Sequence, residues 1–168
     1  MSVLKVITPE KILELTIDKK KDNKVIASKS DFIYEGESKL DFANGKGILF
    51  QKLPLGDKTK YYEGEFKKGF LMKGSIYNLK TQLKAYEGTF KNGKLHGKGR
   101  EYSDKDSYDE GTFKDGKLNG KGKEFWDGIL ISEGTFKNGL LNGKGYHDKI
   151  QLTLHINLII LKIKRFYI

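Results

Sequence analysis

Residues 87–91, 110–114 and 133–137 spell the same phrase, Glu-Gly-Thr-Phe-Lys, at a constant offset of 23. Each copy runs on into a turn and a Gly-Lys-Gly. These continuations are Asn92-Gly93-Lys94-Leu95-His96-Gly97-Lys98-Gly99, Asp115-Gly116-Lys117-Leu118-Asn119-Gly120-Lys121-Gly122 and Asn138-Gly139-Leu140-Leu141-Asn142-Gly143-Lys144-Gly145. Self-similarity at a fixed short period means stacked units, each unable to bury its apolar face alone and each completing its neighbour's core. That pattern constrains the architecture more than any single residue does.

Two weaker copies precede the clear three. Tyr62-Glu63-Gly64-Glu65-Phe66-Lys67-Lys68-Gly69, followed by Leu71, Gly74 and Tyr77, is one residue short between its turn glycine and the Gly-Lys-Gly position. Further upstream, Tyr34-Glu35-Gly36 and Gly45-Lys46-Gly47 match Tyr86-Glu87-Gly88 and Gly97-Lys98-Gly99 at an offset of 52, with Ser38 replacing the central aromatic and Asp41 the turn glycine. Divergent outer units are normal in arrays, because they face solvent on one side. The organisation expected is an N-terminal flank over 1–33, an array of about five units over 34–147, and an apolar and basic tail over 148–168.

Both flanks read ambiguously. Thr8-Pro9-Glu10-Lys11 has the form of a helix start, with Thr8 as cap. Leu13, Leu15 and Ile17 alternate with Glu14 and Thr16, however, which is strand spacing, and a strand hairpin is the favoured expectation. In the tail, Ile150, Leu152, Leu154, Ile156 and Leu158 also alternate before an apolar run that ends in Lys162, Lys164 and Arg165. A capping strand is the leading reading there, beside a membrane-surface contact and a gene-model artefact. A spanning helix needs roughly 20 mostly apolar residues and does not fit.

Asn-Gly and Asp-Gly at 92–93, 115–116 and 138–139 predict two-residue type I′ hairpins, whose central residues both need φ > 0. Counting outward without interruption pairs Phe90 with Leu95, Gly88 with Gly97, Glu87 with Lys98 and Tyr86 with Gly99. One face then holds Tyr86, Gly88, Phe90, Leu95, Gly97 and Gly99, with rings seated on bare glycine. The same logic gives a repeat core of Tyr62, Gly64, Phe66, Gly111, Phe113, Leu118, Gly120, Gly122, Gly134, Phe136, Leu141, Gly143 and Gly145. It also predicts cross-strand pairs Glu110 with Lys121, Glu133 with Lys144 and Glu35 with Lys46. Tyr102 and Phe125 fall on the polar face unless a bulge near Gly99 or Gly122 shifts the register.

Little in the chain points to catalysis. It has no cysteine, which excludes disulfides and Cys-ligated zinc. Its only histidines are His96, His147 and His155, and His96 takes a position filled by Asn119 and Asn142 in the next copies. Gly69–Ser75 lacks the Gly-Lys-Ser/Thr ending of a phosphate loop, and Gly-Lys-Gly lacks the third glycine of a dinucleotide fingerprint. No catalytic, metal or cofactor residue is therefore expected. The net charge of +10 is spread rather than focused: residues 1–30 carry seven basic and four acidic side chains, 31–145 carry 21 and 17, and 146–168 four and one. A nucleic-acid binder concentrates its lysines on one face or arm, so no specific nucleic acid is expected.

Written as Tyr-Glu-Gly-Thr-Phe-Lys-Asn-Gly-Lys-Leu-His-Gly-Lys-Gly, the unit resembles the MORN repeat (membrane occupation and recognition nexus). The likeness is strong over 62–146 and weaker over 34–50. Departures include Asp109 and Ser132 at the first aromatic position. The resemblance implies an all-β fold, an elongated twisted antiparallel sheet of tandem hairpins, and a non-enzymatic attachment or assembly role. It leads to two expectations about partners in an intracellular, cytoplasmic setting, with cytoskeletal or membrane association. A protein partner would use open-side aromatics such as Tyr61, Tyr77, Tyr102, Phe125 and Trp126, since Tyr and Trp dominate binding hot spots. An anionic membrane would use Lys91, Lys94, Lys114, Lys117 and Lys137. Open sheet edges also invite pairing with a second copy of the chain.

Overall fold

In a computed structural model, the residues described are 2–147, and all their regular elements are strands. In chain order these are β1 (Val3–Ile7), β2 (Ile12–Lys21), β3 (Lys24–Lys29), β4 (Phe32–Lys39), β5 (Phe42–Lys52), β6 (Lys58–Lys67), β7 (Phe70–Tyr77), β8 (Lys84–Lys91), β9 (Lys94–Tyr102), β10 (Tyr108–Lys114), β11 (Lys117–Trp126), β12 (Ile129–Lys137) and β13 (Leu140–His147). Each pairs antiparallel with its neighbour in sequence, giving one long meander. The capping strand expected in 148–168 lies outside the described residues. The flank at 1–33 forms strands, and Thr8 does not start a helix. Its hydroxyl instead accepts the Lys11 N–H at 3.2 Å and closes the turn between β1 and β2.

The hairpin turns form as their chemistry requires. Asn92 and Gly93 have φ of 51° and 75°, Asp115 and Gly116 52° and 86°, and Asn138 and Gly139 54° and 85°. The divergent first copy keeps this geometry without glycine, at Leu40 (49°) and Asp41 (62°).

Beyond the turn, uninterrupted counting fails. Phe90 pairs with Leu95 as expected, but Gly88 pairs with Gly99, Glu87 with Arg100 and Tyr86 with Glu101. Gly88–Gly97, Glu87–Lys98 and Tyr86–Gly99 are therefore not pairs. The reason is a bulge at His96-Gly97-Lys98, which places two extra residues on β9. Gly97 takes φ 94° there, and the Thr89 hydroxyl donates to the His96 carbonyl and, at 3.4 Å, to the Lys98 carbonyl. Thr89 thus satisfies backbone that this bulge leaves unpaired. The same shift recurs where Gly111 meets Gly122 and Gly134 meets Gly145, and Gly36 meets Gly47 in the first unit. The expected pairs Glu110–Lys121, Glu133–Lys144 and Glu35–Lys46 are overturned with it. In the short copy Phe66 pairs with Leu71 and Gly64 with Gly74, so its missing residue is one bulge residue fewer.

Once the bulges are counted, a pattern emerges that uninterrupted counting hides. Gly36, Gly47, Gly64, Gly74, Gly88, Gly99, Gly111, Gly122, Gly134 and Gly145 are consecutive partners, one per strand from β4 to β13. On one side of this ladder, here called the inner face, lie the buried Phe90, Leu95, Phe113, Leu118 and Phe136, which share one core. The Tyr34 ring lies over Gly47, where an added Cβ would sit 2.2 Å from its hydroxyl. In the later units the Leu95, Leu118 and Leu141 methyls take that place over Gly99, Gly122 and Gly145. Gly97, Gly120 and Gly143 belong to the bulges rather than to the glycine floor.

The N-terminal end is closed, not flat. β1 also meets β5 and β7 in parallel, and its amides at Lys5 and Ile7 donate to the carbonyls of Asp41 (2.7 Å) and Gly69 (2.8 Å). It thus runs across the hairpin turns of the first two units, and Pro9 sits against Gly93 in the third. Leu4, Val6, Leu13 and Leu15 are carried over the inner face and join the same core as Tyr34, Leu49 and Tyr62.

Candidate functional site

On the outer face, the residues on either side of the glycine ladder stand up as two walls, because side chains alternate across a strand. From β8 to β12 they enclose a groove of ≈ 1020 Å³ floored by Gly88, Gly99, Gly111, Gly122 and Gly134. A smaller groove of ≈ 520 Å³ follows the ladder over Gly47, Gly64 and Gly74.

The two walls differ in charge. The first carries Glu87, Arg100, Glu110, Lys123 and Glu133 as an ion-pair ladder. Arg100 Nη2 lies 2.7 Å from Glu110, Lys123 Nζ 3.3 Å from Glu133, and Lys84 Nζ 3.0 Å from Glu87. Burial alone would raise the Glu87 carboxyl, but Lys84, Tyr102 and Arg100 together hold it below the usual range. In the preceding unit, hydrogen bonds from Lys60 and Tyr77 do the same for Glu63. The second wall carries Lys98 and Lys121 alternating with Thr112 and Thr135. Among the described residues, neither lysine makes an ion pair. Uninterrupted counting assigned both to glutamates. The bulge moves Arg100 and Lys123 into those places and leaves Lys98 and Lys121 facing the groove. The bulges do not account for the placing of Tyr102 and Phe125, because a shift of two residues leaves both on the face that uninterrupted counting gives them.

Above the ion-pair ladder runs a stack of rings. Tyr102, Tyr108 and Phe125 are neighbours across β9, β10 and β11, with centroids 5.7 Å and 4.6 Å apart. A bulge of two residues preserves the alternation of faces, so Tyr102 and Phe125 remain on the outer face. The Tyr102 hydroxyl donates to Glu87 at 3.2 Å, and the Arg100 guanidinium lies 5.2 Å from the Tyr108 ring centre. The other expected aromatics do not join this stack. Tyr77 donates to Glu63 at 2.9 Å on β7, and half-buried Trp126 ends β11. Tyr61 packs against Phe32 and Tyr62 beside the core.

The five expected lysines all lie exposed at the hairpin turns, where Lys91 pairs with Lys94 and Lys114 with Lys117, and Lys137 pairs with Leu140. They form one basic row at the turn end of the sheet, two residues beyond Thr112 and Thr135 along β10 and β12.

The inner face changes chemistry where the N-terminal cover stops. One row reads Tyr34, Leu49, Tyr62, Ile76 and Tyr86 across β4–β8, then Glu101, Asp109 and Glu124 across β9–β11. Burial, reinforced by Glu124 and Glu101, pushes the Asp109 carboxyl up to about 6, and burial raises Glu101. A carboxyl raised by folding is penalised when charged. Its cost is fully present above the folded value and disappears once it is protonated in both states, near pH 4. Lowering the pH from 7 to 4 is therefore expected to stabilise the chain through this row. Asp109→Asn should raise stability at pH 7 by roughly 1–2 kcal/mol, a two-unit shift discounted for partial exposure. Urea midpoints compared at pH 7 and pH 4.5 check this, and the gain should shrink at the lower pH. Among the described residues, no group of three His, Cys, Asp or Glu side chains is disposed to hold a metal ion.

The MORN-repeat family model matches residues 34–50, 62–72, 86–107, 110–128 and 133–147. Each of these five segments falls on one of the hairpins of the glycine ladder, and the chain belongs to the MORN-repeat family. No curated protein matches the chain.

Proposed function

We propose that this chain is a non-enzymatic repeat scaffold that docks a segment of a protein partner in the outer-face groove. The observation carrying this reading is the pair Lys98 and Lys121, which make no ion pair among the described residues and stand along an open groove with a backbone floor. Family membership supports it, since MORN-repeat proteins are generally non-catalytic. Sites built on paired strands hold their geometry better than sites on loops. A photo-crosslinking residue at Thr112, in mid-groove, is expected to capture a discrete protein in cells. The same residue at Asn23, in the turn between β2 and β3, should not. Equal capture at both positions, or none at Thr112, would remove the docking reading.

A second reading has its own support. The turn edge that carries Lys91, Lys94, Lys114, Lys117 and Lys137 also exposes Leu40 (82%) and Leu140 (74%). Basic side chains beside exposed apolar tips suit an anionic bilayer surface. No helix among the described residues is long and apolar enough to cross a membrane. Sedimentation with phosphatidylserine vesicles that is lost at high salt would favour this edge over the groove.

A further inference from the structure

The docking reading leaves open the chemistry of the occupant, and this inference rests on that reading. The geometry points to a polyproline II segment of a partner protein that carries an acidic side chain at every third position. Lys98 on β9 and Lys121 on β11 are two strands apart, a separation of roughly 9.6 Å along the groove. A polyproline II helix completes a turn in three residues of about 3.1 Å each, or roughly 9.3 Å, so residues i and i+3 face the same side in step with the hairpins.

The competing backbones fit less well. The two walls are two residues apart along each strand, roughly 6.7 Å, whereas an α-helix with its side chains is about 10–12 Å across. A β-strand lying across the sheet returns to the same side every second residue, a repeat of roughly 6.7 Å that falls out of step with the roughly 9.6 Å between Lys98 and Lys121. Polyproline II backbone makes no internal hydrogen bonds, so its carbonyls are free to accept from the Thr112 and Thr135 hydroxyls. The rings of Tyr102, Tyr108 and Phe125 lie on the same face, and aromatic surfaces recognise proline-rich segments. The acidic side chains are set by charge complementarity. The carboxylates of the first wall are already paired, so among the described residues the groove cations left without an ion pair are Lys98 and Lys121.

The test is fluorescence anisotropy of the full chain with labelled peptides of about fifteen residues, long enough to cross the five strands in polyproline II form. A repeated Glu-Pro-Pro peptide is expected to bind saturably. Repeated Glu-Gly-Gly, with the same charge and spacing but no stiffness, should bind at least about tenfold more weakly, as should alternating Glu-Pro and repeated Lys-Pro-Pro. Lys98→Glu combined with Lys121→Glu should weaken Glu-Pro-Pro binding at least about tenfold, and the double Gln variant should follow with a smaller loss. Lys19→Glu combined with Lys21→Glu, on β2 and outside the groove, should leave it unchanged. Equal binding of Glu-Gly-Gly, insensitivity to the groove variants, or no binding at all would overturn the inference. A protein adduct at Thr112 without Glu-Pro-Pro binding would reject this chemistry and keep the docking reading, whereas absence of the adduct rejects docking itself.

Discussion

Gly111→Val is expected to destabilise the chain by about 4 kcal/mol or more, among the largest effects a single substitution produces. Gly111 sits at φ 152°, and a Cβ built on it would lie 2.4 Å from the Lys121 carbonyl oxygen and 2.6 Å from the Gly122 Cα. Both obstacles are backbone of the paired strand, so no rotamer change relieves them. The strained backbone alone accounts for roughly 1–3 kcal/mol, and the collision forces β10 and β11 apart at the centre of their ladder. Gly128, in the turn between β11 and β12, is the control. Its φ is 76°, and an added Cβ there meets nothing within 4 Å, so Gly128→Ala should cost only about 1 kcal/mol. Urea midpoints of the two variants decide the matter. Comparable losses would mean that the glycine ladder is not a steric requirement of the sheet.

Leu4→Ala is expected to cost roughly 2–5 kcal/mol, the range for truncating a fully buried leucine in a core that relaxes only partly. Leu4 has no exposed surface, and it lies on the strand that crosses the hairpin turns. The distribution of the effect matters as much as its size. In a repeat array each unit contacts its neighbours, so loosening one end need not release the other. Hydrogen exchange should show lost protection in β1 to β7, which depend on the cover, and retained protection in β10 to β12. Uniform loss along the chain would mean that the sheet unfolds as one cooperative unit.

Much of the architecture was legible in the sequence. The turn dipeptides demand positive φ at adjacent residues, and the alternation around them separates an apolar from a polar face. Both requirements act within a few residues, so they hold whatever the rest of the chain does. The flank was legible as strands from the spacing of Leu13, Leu15 and Ile17, although Thr8 and Pro9 offered a helix start.

The groove was not legible in the same way. Lys98 read as a partner of Glu87 because uninterrupted counting is correct for a plain hairpin, and the bulge at Gly97 displaces that pairing by two positions. The aromatics chosen as partner contacts are divided by the fold: Tyr102 and Phe125 join the outer-face stack, while Tyr61 packs beside the core. The carboxylate row of Glu101, Asp109 and Glu124 draws one residue from each of three strands, so adjacency in the chain does not reveal it.

By itself, the sequence determined the repeat period, the turn type and the hairpin meander, because turn dihedrals and strand alternation are local properties of the backbone. Only the tertiary structure decided where each bulge falls, how ten glycines align into one row, and that β1 returns across the turns to close the N-terminal end. Those outcomes depend on contacts between residues distant in the chain. Strand register and the burial of Leu4 and Val6 are settled by the neighbours that the folded sheet brings together, and with them the exposure of Lys98 and Lys121.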